Sequence, residues 1–250
     1  MAHYLVTGHT GFKGSWLTLL LKYRGHTVSG LALDPQKGAL FDRARLGADL
    51  EHDLRLDIRD EDAVLRAFQA VKPDAVVHMA AQALVREGYR DPQGTYETNV
   101  NGTLNVLRAS DATASIESQL IVSTDKVYRD DGLGRPYLES DPLGGADPYS
   151  SSKAMADLLA QEFMRNGRTK PGAIVRAGNV IGGGDWSVDR LIPDILRAFE
   201  ANTPVVIRSP NAVRPWQHVL EPVSGYLMVA QALYEDGEKY AGGWNFGPND

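Results

Sequence analysis

Near its start the chain reads Val6-Thr7-Gly8-His9-Thr10-Gly11-Phe12-Lys13-Gly14, a glycine-rich stretch that decides the fold. It follows a short apolar run at 4–6 and opens a segment, 12–24, whose apolar residues recur with helical spacing. Glycines between a strand and a helix allow a tight turn in which backbone N–H groups and the helix N-terminus hold a pyrophosphate. A glycine-rich turn without a ligand is the alternative, because such strings also occur by chance.

After this stretch, short apolar runs alternate with segments of helical period. Strands are predicted at 4–6, 27–33, 54–56, 75–79, 120–122 and 173–176, and helices at 12–24, 60–71, 99–109 and 149–164. Strands that are separated by helices in this way form parallel sheets covered on both faces. The predicted fold class is therefore α/β, with a Rossmann-type doubly wound parallel sheet.

The final third of the chain has a different composition. Residues 179–250 contain the run Gly182-Gly183-Gly184 and several prolines, and helices are predicted near 191–200 and 223–233. We expect residues 1–178 to form a dinucleotide-binding domain and 179–250 a smaller substrate-binding region. That region is expected to pack over the carboxyl edge of the sheet, where ligands bind in open α/β sheets, with the option of returning a strand to the sheet.

Composition excludes several classes of protein. The 250 residues hold 26 basic and 32 acidic side chains, a net charge of −6, and no cysteine. An acidic chain repels nucleic acid and anionic lipid, and the lack of cysteine excludes disulfides, thiolate catalysis and Cys-zinc sites. The longest apolar run, at 16–21, is too short to span a bilayer. We expect a cytoplasmic protein that uses no metal and binds neither nucleic acid nor membrane.

Two aspartates follow predicted strands at positions suited to a dinucleotide. Asp34 ends the second strand, 20 residues after Gly14. A carboxylate there accepts hydrogen bonds from the adenosine ribose and repels a 2′-phosphate, so NAD is favoured over NADP. Asp57, after the third strand, either bonds an adenine amino group or marks the start of a helix. The small residues Ala80-Ala81, followed by Gln82, would let a dinucleotide lie close to the backbone.

A second group of residues has the chemistry of an active site. Tyr149-Ser150-Ser151-Ser152-Lys153 places a Tyr and a Lys on one face of a predicted helix, and a nearby cation favours the phenolate. Ser123-Thr124-Asp125-Lys126 ends the preceding core strand, so its side chains would face the same crevice. An ordinary helix start and a solvated Asp-Lys pair are the alternatives.

Together these features resemble the extended short-chain dehydrogenase/reductases and, more narrowly, the CDP-glucose 4,6-dehydratases. The resemblance covers almost the whole chain. It is carried by the glycine-rich stretch quoted above and by the strings that begin at His78, Thr98, Asp125, Asp147, Arg176, Arg214 and Trp244. It implies a 4,6-dehydratase of a nucleotide sugar, most simply CDP-glucose, that uses NAD and makes a 4-keto-6-deoxy sugar for lipopolysaccharide O-antigen.

The resemblance also implies roles for individual residues. Tyr149 would take the proton of the sugar 4-hydroxyl, Lys153 would tune it and bind the nicotinamide ribose, and Thr124 would hold the C4 oxygen. Lys126 would remove the C5 proton, and Asp125 would protonate the departing 6-hydroxyl. Related dTDP-sugar dehydratases have Glu in place of this Lys, and epimerases usually lack the pair. An epimerase or reductase, or an inactive NAD-binding protein, is the alternative.

Three residues match positions that contact the nucleotide-sugar diphosphate, namely Asn179, Arg190 and Arg214. Arg208 and His218 would add to a basic patch. The resemblance further implies a homodimer formed through paired helices, and, since family members continue past residue 248, an incomplete substrate pocket. The residues expected to bind NAD are Gly8, Thr10, Gly11, Phe12, Gly14, Asp34, Asp57, Ile58, Ala80, Ala81, Gln82, Asn99, Tyr149 and Lys153.

Overall fold

A computed structural model describes residues 1–132, 134–165 and 170–248. Within these residues, seven parallel strands form one sheet in the order β3-β2-β1-β4-β5-β6-β9. The sheet strands are β1 (His3–Thr7), β2 (Thr27–Ala32), β3 (Asp53–Arg55), β4 (Ala75–His78), β5 (Ser118–Thr124), β6 (Gly172–Ala177) and β9 (Gly242–Phe246). The predicted α/β class and parallel sheet are confirmed.

Helices connect the strands. They are α1 (Phe12–Tyr23), α2 (Leu40–Arg43), α3 (Glu61–Val71), α4 (Val85–Arg90), α5 (Pro92–Tyr96), α6 (Gly102–Asp111), α7 (Pro148–Arg165), α8 (Leu191–Glu200), α9 (Leu220–Glu235) and α10 (Gly237–Tyr240). A π-helical turn, Glu97–Asn101, joins α5 to α6. None of the helices in the described ranges is both long and apolar enough to cross a bilayer.

Side chains alternate across the central strands and so build two cores. Tyr4 and Val6 of β1 pack with α1 and α9, whereas Leu5 between them packs with α3 and α6. Successive residues of a strand point to opposite faces of its sheet, and both faces of this sheet are covered by helices. This arrangement is the doubly wound fold.

The structure differs from the sequence prediction at the ends of β5. The prediction covered 120–122, whereas the strand runs Ser118–Thr124 and is buried along its whole length. Its polar ends lie inside the protein because β5 has parallel partners on both sides, β4 and β6. Apolar pattern alone marks only the middle of such a strand.

The final third of the chain divides its residues between the sheet and the region above it. Helix α9 packs against α1, β5 and β6, and β9 pairs with β6. The segment between β6 and α9 covers the carboxyl edge, with β7 (Val180–Ile181) and β8 (Gln217–His218) paired within it. Helix α9 was expected over that edge, but its buried Val223, Tyr226 and Leu227 cover a face of the sheet instead. The division at residue 178 stays a prediction.

Candidate active site

A cavity of about 1060 Å³ lies along the carboxyl edge of the sheet. It is lined by the loops that follow β1, β4, β5 and β6 and by residues from the segment between β7 and α8. The strand order reverses between β1 and β4, which is the point where doubly wound sheets bind ligands. Its volume is slightly above the usual range for small-molecule sites, about 300–1,000 Å³.

The glycine-rich loop is closed tightly against the sheet. Gly8 has φ +75°, and a Cβ there would lie 2.7 Å from the backbone nitrogen of Ala80. A Cβ on Gly14 would lie 2.1 Å from the carbonyl oxygen of Gly8. These two positions therefore require glycine, and the loop brings its backbone to the cavity wall.

Helix α1 presents an uncapped N-terminus to the cavity. In the described part of the chain no side chain caps it at Gly11, and its first turn contains no acidic residue. Gly11, Phe12 and Lys13 line the cavity. Free N–H groups at a helix N-terminus carry a partial positive charge and bind anions, so this end of the cavity fits a pyrophosphate.

The Asn99 side chain fixes the loop after β4 through hydrogen bonds to its backbone. The side chain accepts the Gln82 N–H at 2.8 Å, donates to the Gln82 carbonyl at 3.0 Å and donates to Ser152 Oγ on α7 at 2.9 Å. Ala80, Ala81 and Gln82 line the cavity, whereas Asn99 is buried outside its lining. Asn99 therefore positions the loop and does not face the cavity.

Two residues that line the cavity each have a buried polar atom without a partner among the described residues. The atoms are Ser123 Oγ at the end of β5 and Asn179 Oδ1 after β6. A buried polar group without a hydrogen bond costs about 1–3 kcal/mol. Their position is suited to a polar ligand that would supply the missing bonds, which supports the fit of the cavity to a dinucleotide and a second polar molecule.

The two aspartates lie in different settings. Asp34 is 90% exposed at the rim, outside the lining, with its Oδ1 3.8 Å from Arg55 Nε. Asp57 and Ile58 line the cavity. A hydrogen bond from the Arg59 side chain lowers the pKa of Asp57, which also accepts the Arg59 N–H at 2.9 Å. Asp57 thus shapes the turn before α3. Its two predicted roles, at the start of a helix and as a partner of the adenine amino group, are both compatible with this position.

Tyr149 and Lys153 lie on the first two turns of α7 and line the cavity. Lys153 Nζ donates to the Val122 carbonyl of β5 at 2.9 Å, and burial lowers the pKa of Lys153 to about 8. Burial raises the pKa of Tyr149, while a hydrogen bond with Thr124 and the charge of Arg190 lower it. The structure therefore brings the predicted Tyr-Lys pair together with Thr124.

The turn after β5 carries the other predicted pair. Thr124 Oγ1 donates to Asp125 Oδ1 at 3.0 Å, and Lys126 lines the cavity. Burial lowers the pKa of Lys126, and the charges of Arg190 and Arg214 act in the same direction, whereas Asp125 opposes them. A lysine in such surroundings loses its proton more readily than one in water.

The sequence prediction missed Lys13. This side chain lines the cavity within the electrostatic reach of Asp125, Lys126 and Lys153, and burial lowers its pKa to about 8. A signal was present in the sequence, since a cation in the first turn of a helix is disfavoured by the helix dipole and calls for an explanation.

Of the polar and basic residues predicted to bind a diphosphate, some line the cavity in the structure and others lie outside it. Asn179 and Arg190 line the cavity, and Arg190 donates to the Ala83 carbonyl at 2.9 Å. Arg214 is exposed outside the lining, Arg208 pairs with Asp189, and His218 packs against Trp16. The predicted basic patch is therefore not part of the cavity wall. In the described ranges no group of three or more His, Asp or Glu side chains could hold a metal ion.

Comparison with known proteins adds independent information. Residues 4–243 match the model of the NAD dependent epimerase/dehydratase family. The chain is 50% identical, over 255 aligned residues, to a CDP-glucose 4,6-dehydratase of Salmonella typhimurium, a match that covers 98% of the chain and 70% of that protein.

Two solved structures share the fold. One is a dTDP-glucose 4,6-dehydratase from Streptomyces venezuelae with NAD and TYD bound, at a TM-score of 0.82 and 28% identity, covering 99% of the chain and 76% of that structure. The other is a UDP-glucose 4-epimerase of Thermus thermophilus in complex with NAD, at a TM-score of 0.83 and 26% identity. That match covers 99% of the chain and 78% of the solved structure.

Proposed function

The chain belongs to the NAD dependent epimerase/dehydratase family, and from that premise we propose that it is a nucleotide-sugar 4,6-dehydratase whose substrate is CDP-glucose. The observation that carries the proposal is that Lys126 lines the same cavity as Tyr149 and Lys153. Its neighbour Asp125 lies outside the lining but accepts a hydrogen bond from the lining residue Thr124. An epimerase needs only the second pair, whereas a dehydratase also needs an acid and a base for the loss of water. The identity to the Salmonella enzyme favours CDP-glucose among nucleotide sugars.

The cavity has residues to hold NAD along its length. The glycine-rich loop and the first turn of α1 would bind the pyrophosphate, Asp34 the adenosine ribose, and Lys153 the nicotinamide ribose. Asp57 and Ile58 would lie at the adenine. When bound, NAD accepts a hydride from C4 of the sugar, returns it to C6, and carries a positive ring charge that favours nearby anions.

The first proton transfer belongs to Tyr149. Its phenolate would take the proton of the sugar 4-hydroxyl, and the Thr124 hydroxyl would hold the oxygen that becomes the 4-ketone. Because burial raises the pKa of Tyr149, the phenolate depends on neighbouring positive charge and on Thr124. Arg190 supplies one such charge. Lys153, buried one turn along α7 and bonded to the Val122 carbonyl, would supply another.

The loss of water belongs to the turn after β5. A 4-ketone acidifies the C5 proton, which the neutral amine of Lys126 would accept. Asp125, in its protonated form, would then give its proton to the 6-hydroxyl, which leaves as water. Burial lowers the pKa of Lys126 and so favours the neutral amine that this step needs.

Asn179 and Arg190, which line the cavity, are proposed to bind the diphosphate of the substrate, whereas Arg214 lies outside the lining. We further propose a cytoplasmic homodimer that serves deoxysugar synthesis for lipopolysaccharide O-antigen. The exposed Met155 and Leu158 on α7 support the dimer, since both are apolar and about half exposed. Sedimentation of the wild type and of Leu158→Glu, with loss of the dimer expected only in the variant, tests this part.

The function is tested by incubation with CDP-glucose and NAD, followed by mass spectrometry for the loss of water. Lys126→Met should still produce NADH absorbance on addition of CDP-glucose, but neither water loss nor entry of solvent deuterium at C5. Lys37→Met, which removes an exposed lysine, is the control and should behave like the wild type. Product formed by Lys126→Met at an undiminished rate would contradict the assignment. A product epimerised at C4 would indicate that the protein is an epimerase. The absence of turnover would indicate an inactive NAD-binding protein.

A further inference from the structure

An arginine stands beside the aspartate that is proposed to bind the adenosine ribose. Arg55 ends β3 and lies opposite Ala32 of β2, two residues before Asp34. Its Nε is 3.8 Å from Asp34 Oδ1. The pair lies at the rim of the cavity, next to the lining residues Leu33 and Leu56.

The guanidinium of Arg55 is held in place by its neighbours. Nη2 donates to Asp53 Oδ2 at 2.6 Å, Nη1 lies 3.3 Å from His9 Nε2, and the group sits 5.0 Å from the ring centre of Phe41. His9 in turn contacts Asp53 Oδ1 at 2.8 Å. Nη2 is engaged by Asp53 and the guanidinium packs on Phe41, while the Nε edge is directed to Asp34, so less side-chain entropy remains to be lost on binding an anion there.

We propose that Arg55 limits the discrimination against NADP that Asp34 sets, because the Arg55 guanidinium forms a 2′-phosphate subsite that the Asp34 carboxylate occupies. The proposal rests on the NAD site of the proposed function. A carboxylate at position 34 accepts the ribose 2′-hydroxyl and repels a phosphate, whereas a guanidinium suits a phosphate in charge and in hydrogen-bond geometry. Arg55 therefore reduces the repulsion that Asp34 exerts, and it is already oriented for the phosphate when that carboxylate is removed.

Three variants separate the contributions. Asp34→Asn keeps the shape of the side chain and should bind NADP at least about tenfold more tightly than the wild type, since a charge-assisted hydrogen bond contributes about 1.5–3 kcal/mol. Arg55→Gln should weaken NADP binding by a similar factor and change NAD binding by less. In Asp34→Asn/Arg55→Gln the gain in NADP affinity should disappear. Lys37→Gln, which removes another cation of the loop after β2, is the matched control and should leave both affinities unchanged.

The experiment is calorimetry of each variant with NAD, NADP and 2′,5′-ADP, which carries the phosphate without the nicotinamide. Asp34 is exposed, so folding of the variants is expected, and thermal melting checks it. Where the wild type binds NAD, either of two results would refute the subsite. One is that Asp34→Asn shows no gain in NADP affinity, and the other is that this gain persists in Asp34→Asn/Arg55→Gln. If the wild type binds neither dinucleotide, the proposed function fails instead. A gain that depends on Arg55 and not on Lys37 supports the proposal.

Discussion

His78, at the end of β4, should make the stability of this protein fall steeply as the pH drops below 6.5. The side chain is 1% exposed, and its hydrogen bonds define one neutral form. Thr7 Oγ1 accepts the N–H groups of Met79 and Ala80 at 3.1 and 3.2 Å, so its own proton goes to His78 Nδ1 at 2.7 Å. His78 Nε2–H then donates to the Thr103 hydroxyl at 3.0 Å.

The magnitude follows from the shift of its pKa. Burial, with the charge of Lys153, lowers the pKa of His78 from 6.5 to about 3. The folded-state pKa lies below the unfolded value, so the unfolded chain binds the proton first as the pH falls. Stability from this group is complete above pH 6.5 and is lost below it, by about 1.4 kcal/mol for each pH unit down to about pH 3. At pH 5 the loss is about 2 kcal/mol, a figure that does not depend on the folded-state pKa while that value stays below about 4.

Urea denaturation at pH 7.5 and at pH 5 measures this loss. The pKa values of His3, His9 and His26 are also lowered by burial, so the wild type alone does not isolate His78. His78→Asn should therefore be compared with the wild type: its free energy of unfolding should decrease by about 2 kcal/mol less over this interval. Ile121→Val, which removes one buried methyl group, should be less stable at both pH values and keep the wild-type difference. Equal differences for His78→Asn and the wild type would refute the reasoning.

Three further predictions follow from single contacts. Gly14→Ala should lose NAD binding, because its Cβ would lie 2.1 Å from a carbonyl oxygen of the loop. The control Gly247→Ala, with no described atom within 4 Å of its Cβ, should bind NAD normally, and calorimetry and thermal melting compare the two variants. Tyr149→Phe should bind NAD but lose about 10²–10⁴ in the rate of C4 oxidation, followed as NADH absorbance; a rate within a few-fold of the wild type would mean that another residue is the base. Since the charge of Lys153 supports that step and its pKa is about 8, this support should be lost, and the rate should fall, as the pH rises through 8. Lys153→Arg, which keeps its charge, should remove this fall from the pH profile.

Local pattern was sufficient for most of the fold and failed where a helix depends on its neighbours. Helices α4 and α5 were not predicted, because their sequences are short, polar and interrupted by Pro92. They exist because Asp91 caps α5 through the Gly94 N–H and because Gly88 allows close contact with the backbone at Tyr149. The location of α9 could not be predicted either, since an apolar stripe does not say which surface it will cover.

In the candidate site, the residues predicted from backbone requirements and those predicted from charge differ in outcome. The glycines and the Tyr149–Lys153 spacing place their atoms through local geometry, and the structure brings these residues to the cavity. Arg214 was chosen from the family resemblance and its charge, and its location depends on a long segment whose path the sequence does not define. Lys13 was overlooked because it lies within a motif that was interpreted only through its glycines.

One buried network joins the two parts of the reaction centre to the far edge of the sheet. Asp157, one turn after Lys153 on α7, accepts two hydrogen bonds from Arg176 of β6, at 2.8 and 2.9 Å. Arg176 also donates to the hydroxyl of Tyr128, which follows the Asp-Lys turn and itself donates to Asn245 of β9 at 2.6 Å. Breaking a buried ion pair costs about 3–5 kcal/mol, so the link between Asp157 and Arg176 is strong on the scale of a protein's stability. The last strand of the sheet is therefore linked by hydrogen bonds to both elements that carry the proposed proton-transfer sites, although none of its residues lines the cavity.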